Sequence, residues 1–449
     1  MNSNTLSLCV EKKHLTTNNN MKYILIILTF TIQLAIAQNS IKAGIWRGVL
    51  LLNKEKNIEL PFNFEVKLVA SRAHSKGSAT ASATNKKVTK QPQIIIQNAQ
   101  EYIAVTEILL KKDSVIFKMP VFDSEFRCQL VGDTLLTGFW INHSKTTNNK
   151  ILFTAHYGVQ QRFIFPYPTN PKVPFYNGKW EVTFSPNTKD SSKAIGMFTH
   201  PYNGTNVFGT FLTETGDYRY LDGMMHDGKL YLSTFDGGHA FLFIAENNGK
   251  EITNGKFYSG TTWEENWEAK RNDSFQLRNP ESITQLKSPN EVVKFSFPNL
   301  LGKKVSLIDK RYKNKPVVIQ IMGSWCPNCM DETAYLSQLY KTYKPKGLEI
   351  IALAYERTSD FKKAVKNVTR LKTKFNTGYE FLITGLSGKD KASESLPFLN
   401  SIIAFPTTII LDKKHQVKII YTGFSGPATE IEYTEFTTKF EMLIQEIIK

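Results

Sequence analysis

The 449-residue chain reads as an all-β N-terminal region, built of two repeated barrel- or sandwich-like units, followed by an α/β domain. Three observations carry this. From residue 41 to about 287, short apolar and aromatic runs such as Phe62-Asn63-Phe64-Glu65-Val66 and Leu230-Tyr231-Leu232 alternate with polar residues. Asn-Gly, Asp-Gly and Gly-Asp pairs separate them, which is hairpin chemistry. Within that stretch, similar segments recur at a spacing of roughly 110 to 130 residues. Past Pro289 the texture changes to buried apolar runs that alternate with helical periods.

Composition sets outer limits. Hydrophobic residues at 41% and charged residues at 21% exclude wholesale disorder and a polytopic membrane protein. The formal charge of +16 invites a nucleic-acid partner. It is spread along the chain without a run of five basic residues, and no zinc-finger, helix-turn-helix or RNA-recognition pattern accompanies it, so none is expected. Four cysteines are too few for a disulfide scaffold, and only Cys326 and Cys329 are close in sequence.

The N-terminal extension, residues 1–37, carries the pattern of a secretory signal peptide. Met21-Lys22-Tyr23 precede an apolar run over 24–36, which closes on Ala35-Ile36-Ala37 before Gln38. That run is interrupted by Thr29, Thr31 and Gln33 and is shorter than the roughly 20 residues of a spanning helix. Met21 is the expected start, and no stable membrane insertion is expected after cleavage. Cys9 would be lost, and Cys128, Cys326 and Cys329 would remain in an exported space that permits disulfides. The expected location is the periplasm or cell envelope of a Gram-negative cell.

Residues 38–170 and 171–289 form the two β units, joined near Pro166, Pro168, Pro171 and Pro174. Gly44-Ile45-Trp46 opens one and Gly178-Lys179-Trp180 the other. Val115-Ile116-Phe117 then Phe122-Asp123-Ser124 answers Leu230-Tyr231-Leu232 then Phe235-Asp236-Gly237, and Thr137-Gly138-Phe139-Trp140 answers Asn254-Gly255-Lys256-Phe257. The Gly-x-Trp openings resemble those of lipocalin-type barrels, where the tryptophan plugs one end. Residues 71–91, rich in Ser, Ala, Thr and Lys, read as a loop, and Asp227-Gly228 and Asn248-Gly249 as two-residue turns with positive φ. Asp236 with His226 and His239 reads as a polar turn rather than a metal site. Trp263 and Trp267 read as packing residues rather than a sugar platform, and Cys128 as a buried inert thiol.

Residues 290–449 form the α/β domain. An apolar strand at 317–322 leads to a helix at 331–343, a buried strand at 348–354 and a second helix at 361–375. A short strand at 381–384, a hairpin of 402–411 with 417–421 and a closing helix at 430–448 follow. This is the order of the thioredoxin fold. At the first strand-to-helix junction stands Trp325-Cys326-Pro327-Asn328-Cys329. Cysteines at i and i+3 on the first turn of a helix can close a disulfide, and the free amide groups there favour a thiolate on the first sulfur. A zinc site would need two further ligands at matching spacing, and a purely structural disulfide closing so small a loop gains little.

Trp-Cys-Pro-x-Cys after an apolar strand, with Phe405-Pro406-Thr407-Thr408 about 80 residues on, resembles the TlpA/ResA-type thiol-disulfide reductases of the thioredoxin superfamily. The likeness covers roughly 290–449, and the entry segment 295–309 is similar to that family's leading β-hairpin. The long β extension resembles secreted TlpA-like proteins with an extra domain. The resemblance implies that Cys326 is the nucleophile and Cys329 its resolving partner, forming a redox-active disulfide, with no other cofactor and no metal. It implies that Pro406 is the cis-proline and that Phe405, Thr407 and Trp325 border the substrate. Glu332 falls where these reductases place an acidic residue near the buried sulfur; a solvated first-turn carboxylate is the alternative. One departure is Gln320, which replaces thioredoxin's buried Asp. Another is the long segment 385–400, read as a substrate-facing rim.

The function expected is that of an exported thiol-disulfide oxidoreductase reducing protein or small-molecule disulfides, recharged by an upstream membrane electron donor. The alternative is a secreted ligand- or glycan-binding β protein with an accessory thioredoxin fold.

Overall fold

The computed structural model describes residues 41–71, 89–167, 177–201 and 204–449. The signal segment, most of the Ser/Ala-rich stretch and Pro168, Pro171 and Pro174 lie outside them. The described ends of that stretch are strand, in Ile58–Ser71 and Thr89–Asn98.

Both β units are antiparallel meanders curled into barrels. In the first, the sheet runs from Glu101–Val105 to Glu107–Lys111, with Gly44–Asn53 joining Lys150–Tyr157 in the middle. Its two edge strands are consecutive in the chain, bending only at Thr106, so one bent strand pairs with both ends of the sheet. In the second, Ser192–Thr199 pairs with Gly178–Phe184 on one side and Asn206–Thr213 on the other, which closes the ring. Closure removes exposed edges, which settles barrel over sandwich.

The internal repeat has a structural basis. Gly44 and Gly178 open their strands at φ 128° and 116°, and Trp46 and Trp180 are both fully buried. Aromatic side chains fill both interiors: Trp46, Phe62, Phe64, Phe117, Phe126 and Phe153 in the first, Trp180, Phe184, Phe211, Phe243 and Trp267 in the second. Asp227 and Gly228 have the positive φ pair of a two-residue turn. At the other expected turn only Gly249 does; the Asn248 side chain instead accepts hydrogen bonds from the amides of Lys250 and Glu251. Trp267 is core, whereas Trp263 lies exposed, because it begins its strand at the barrel end.

The barrels share a core. Phe235 of the second stacks on Phe62 of the first at 4.7 Å and meets Phe126 and Trp140 edge-on. Asn98 exchanges hydrogen bonds with the Phe235 backbone, and the buried Arg162 bonds Gln97 and Ser233 and pairs with Asp222 at 2.9 Å. The repeated turns Phe122-Asp123-Ser124 and Phe235-Asp236-Gly237 meet one another. The Ser124 hydroxyl donates to the Gly237 carbonyl, and the rings of Phe122 and His239 stand edge to face.

The C-terminal sheet has the order Glu380–Ile383, Glu349–Ala354, Val317–Met322, Thr407–Leu411, Val417–Thr422. The first three strands are parallel to one another, Thr407–Leu411 runs antiparallel to Val317–Met322, and Val417–Thr422 runs antiparallel to Thr407–Leu411. Helices Pro327–Tyr343, Phe361–Lys374 and Ile431–Ile448 and the small hairpin of Ser296–Pro298 with Lys304–Ser306 complete it. The strand expected from 402 begins at Thr407, since Pro406 has no amide hydrogen for a ladder. Residues 385–400 lie largely at the surface on buried anchors, and the Ser395 hydroxyl bonds that of Tyr355 at 2.8 Å. They contain the short helix Lys389–Ser395 and turn Ala392, Leu396, Phe398 and Leu399 into the core, with Leu399 bridged to Leu286. Four apolar side chains in so short a segment gain more from burial than from facing water. Val121 and Phe122 of the first barrel belong to this same core.

Candidate active site

The fully buried strand Val317–Met322 ends beneath the helix Pro327–Tyr343, and Cys326 caps that helix. Its sulfur accepts a hydrogen bond from the Cys329 amide at 3.4 Å, while its thiol donates to the Phe405 carbonyl at 3.2 Å. Pro327 at the first helical position has no amide hydrogen to leave unpaired. Both cysteines are free thiols; Cys326 is 5% exposed and Cys329 fully buried. Burial, then the Cys326 sulfur and the Glu332 carboxylate, push the Cys329 thiol well above its ordinary pKa.

The Phe405–Pro406 peptide is cis. The Phe405 ring packs edge-on against Trp325 at 5.7 Å and over Tyr355. Thr407 is fully buried, pairs with Ile321 and Thr422 on its two sides, and turns its hydroxyl back to Ala404. Its neighbours therefore occupy both flanks, and the group beside the sulfur is the Phe405 carbonyl. Trp325 is half-buried. Its indole donates to the Tyr355 carbonyl, and the Arg357 guanidinium stacks over its ring at 3.9 Å.

Glu332 is buried, 1% exposed, which overturns the solvated alternative. It accepts from Thr408 Oγ1 at 2.6 Å and Gln320 Nε2 at 2.8 Å, and Tyr379 donates to Gln320. Burial raises its pKa to about 7 despite those two bonds. Gln320 is thus a holder of the carboxyl group rather than a lost base.

Several neighbours were not foreseen. Glu356, also buried, accepts from the amide and hydroxyl of Ser324, both at 2.7 Å, and fixes the residue before Trp325. Its position after the strand Glu349–Ala354, at the carboxyl end of a parallel sheet, is the signal that could have found it. No local pattern marks the second barrel's Gly216, Asp217 and Arg219, which reach Pro327, Asn328 and Asp331. On the other flank, Val121, Phe122, Gly238 and His239 border a narrow cleft with Ser324, Trp325 and Arg357.

Of the residues read in isolation as possible sites, only His239 borders that cleft. Asp236 Oδ1 accepts from the amides of Gly238 and His239, the polar turn expected, and His226 stacks on Phe165. Cys128 is buried and unpaired, its thiol pushed up to about 12 by burial. Among the described residues no three His, Cys, Asp or Glu side chains converge as metal ligands.

Residues 287–435 match the Redoxin family model. The thiol-disulfide oxidoreductases ResA of Bacillus thuringiensis subsp. konkukian and Bacillus cereus are each 34% identical over 149 residues, which is 33% of this chain and 76% of theirs. A thiol:disulfide interchange protein of the thioredoxin family from Chlorobium tepidum TLS aligns in structure over 36% of this chain and 98% of its own. It is 17% identical, with a TM-score of 0.28. By the extent of the ResA match, the chain belongs, through its C-terminal part, to the ResA family of thiol-disulfide oxidoreductases.

Proposed function

We propose that the protein is an exported oxidoreductase that reduces disulfides of client proteins through Cys326 and Cys329. The observation that carries this is the arrangement of the pair, with one sulfur at a helix start accepting the Cys329 amide and the other buried behind it. The Cys326 thiolate attacks a client disulfide and forms a mixed disulfide, releasing one client sulfur as a thiol after protonation. Cys329 gives its proton to the Glu332 carboxylate and attacks Cys326. That forms the Cys326–Cys329 disulfide and frees the second client sulfur, two electrons having passed to the client. A carboxyl group with a pKa of about 7 suits that transfer at neutral pH. A membrane-bound dithiol donor would restore the pair.

Export rests on the segment 21–37, and a periplasmic or envelope location in a Gram-negative cell follows from that segment and the exported redox chemistry. Among the described residues no helix is long and apolar enough to cross a membrane. The aromatic filling of both barrels disfavours the ligand-binding alternative. The test is reduction of a model protein disulfide by the full chain with dithiothreitol as donor. Turnover should occur and disappear in Cys326→Ser; turnover retained in Cys326→Ser would place the chemistry elsewhere.

A further inference from the structure

The second barrel grips the redox motif itself. Arg219 Nη1 donates to the Pro327 carbonyl at 3.2 Å and to Asp331 Oδ2 at 2.7 Å, and Asn328 Nδ2 donates to the carbonyl and Oδ2 of Asp217, both at 3.1 Å. Both residues between the cysteines are therefore held from outside their own domain. Arg219 is 5% exposed, and its other terminal nitrogen pairs with Glu101 of the first barrel. Asp217 also accepts from the Arg219 and Gly426 amides, at 2.6 Å each.

The fit needs glycine on both sides. A Cβ on Gly216, at φ 136°, would stand 2.7 Å from Asn328 Oδ1, and one on Gly426 would stand 2.8 Å from Asp217 Oδ2. A buried guanidinium that joins three parts of the chain is costly unless its charge is met, and here Asp331 and Glu101 meet it through Nη1 and Nη2. Its charge, opposed by Asp331, Glu101 and Asp217, lies against the first turn of the helix capped by Cys326, which the Arg357 guanidinium faces from the other side of the motif, and fixed charge at a helix start governs thiolate stability.

We propose that Arg219 is a positioning residue of the redox centre, holding the Cys-x-x-Cys turn and, balanced by Asp331 and Glu101, setting the thiolate character of Cys326. The β region is by this reading a working part of the oxidoreductase. The inference rests on the redox role of Cys326 and Cys329 proposed above.

The experiment uses the full chain as wild type, Arg219→Gln, Arg219→Lys and Glu101→Gln. It reads the rate of Cys326 alkylation near neutral pH and the equilibrium of the pair with glutathione. Removing the cation disfavours the thiolate. Arg219→Gln should slow alkylation by about three- to tenfold and shift the equilibrium toward the disulfide by a like factor, a tenfold shift being 29.6 mV for a two-electron couple. Arg219→Lys, which keeps the charge, should recover most of both. Glu101→Gln lies in the other barrel and removes a counter-charge, so it should move both readouts the opposite way. A loosened fold would move Arg219→Gln and Glu101→Gln in the same direction, and that result overturns the proposal. So do wild-type values in a folded Arg219→Gln. If Arg219→Gln does not fold, Arg219→Lys and Glu101→Gln decide: the proposal stands on near-wild-type values in the first with the opposite shift in the second, and falls otherwise. Absence of any Cys326/Cys329 couple in the wild type would sink the oxidoreductase reading itself.

Discussion

Replacing Glu332 by glutamine should stabilise the reduced protein at alkaline pH and leave it nearly unchanged at acid pH. The carboxyl group is buried, with a pKa that rises from 4.5 to about 7. At about 1.36 kcal/mol per tenfold, ionising it inside the fold costs roughly 3 kcal/mol more than ionising it in the unfolded chain. The folded pKa is the higher one, so the wild type holds its full stability below about pH 4.5 and loses this share as pH climbs through about 7. Glutamine keeps the size and an acceptor for Thr408 or Gln320 but does not ionise. Other titrating groups are common to both proteins and largely cancel in the difference. Denaturant titrations of both proteins across that range, under reducing conditions, would give it. The variant's advantage should grow from about pH 4.5 to about 7, reach roughly 3 kcal/mol and then level off. A difference that stays flat with pH would refute a raised pKa and remove Glu332 as the proton acceptor for Cys329.

Other outcomes are equally concrete. Cys329→Ser should accumulate mixed disulfides on Cys326 that dissolve with reductant, while Cys326→Ser gives none, read by non-reducing gels and by mass on Cys326; capture by Cys326→Ser would reverse the roles. Native-state alkylation should modify Cys326 first and leave Cys128 untouched until the protein unfolds, because burial raises the Cys128 thiol to about 12; peptide mapping checks this. Phe235→Ala should cost about 3 to 5 kcal/mol, since it empties a site shared by both barrels, and should lower the melting transition of the whole β region rather than of one barrel.

Much of the fold is legible in the order of residues because its signals are local. The alternation in Phe62-Asn63-Phe64, the turn pair Asp227-Gly228 and the Gly-x-Trp openings each need only neighbours in sequence to act, and the strand-helix order after Pro289 follows from periodicity. Trp325-Cys326-Pro327-Asn328-Cys329 announces its chemistry for the same reason, since a helix start makes its own electrostatic field. The short helix Lys389–Ser395 and the late start at Thr407 were missed because core burial and strand pairing decided them.

By itself, the sequence determined two repeated β units, a thioredoxin-type domain and the Cys-x-x-Cys pair, Cys326 and Cys329, at the start of its first helix. Only the tertiary structure decided that Glu332 is buried on Gln320 and Thr408, that Glu356 holds Ser324, and that Arg219, about 110 residues from Asp331 along the chain, closes on the redox motif. The physical reason is that propensity, turn chemistry and helix-end fields act over a few residues, whereas desolvation and charge pairing depend on what the fold brings within a few ångströms, which no local pattern encodes.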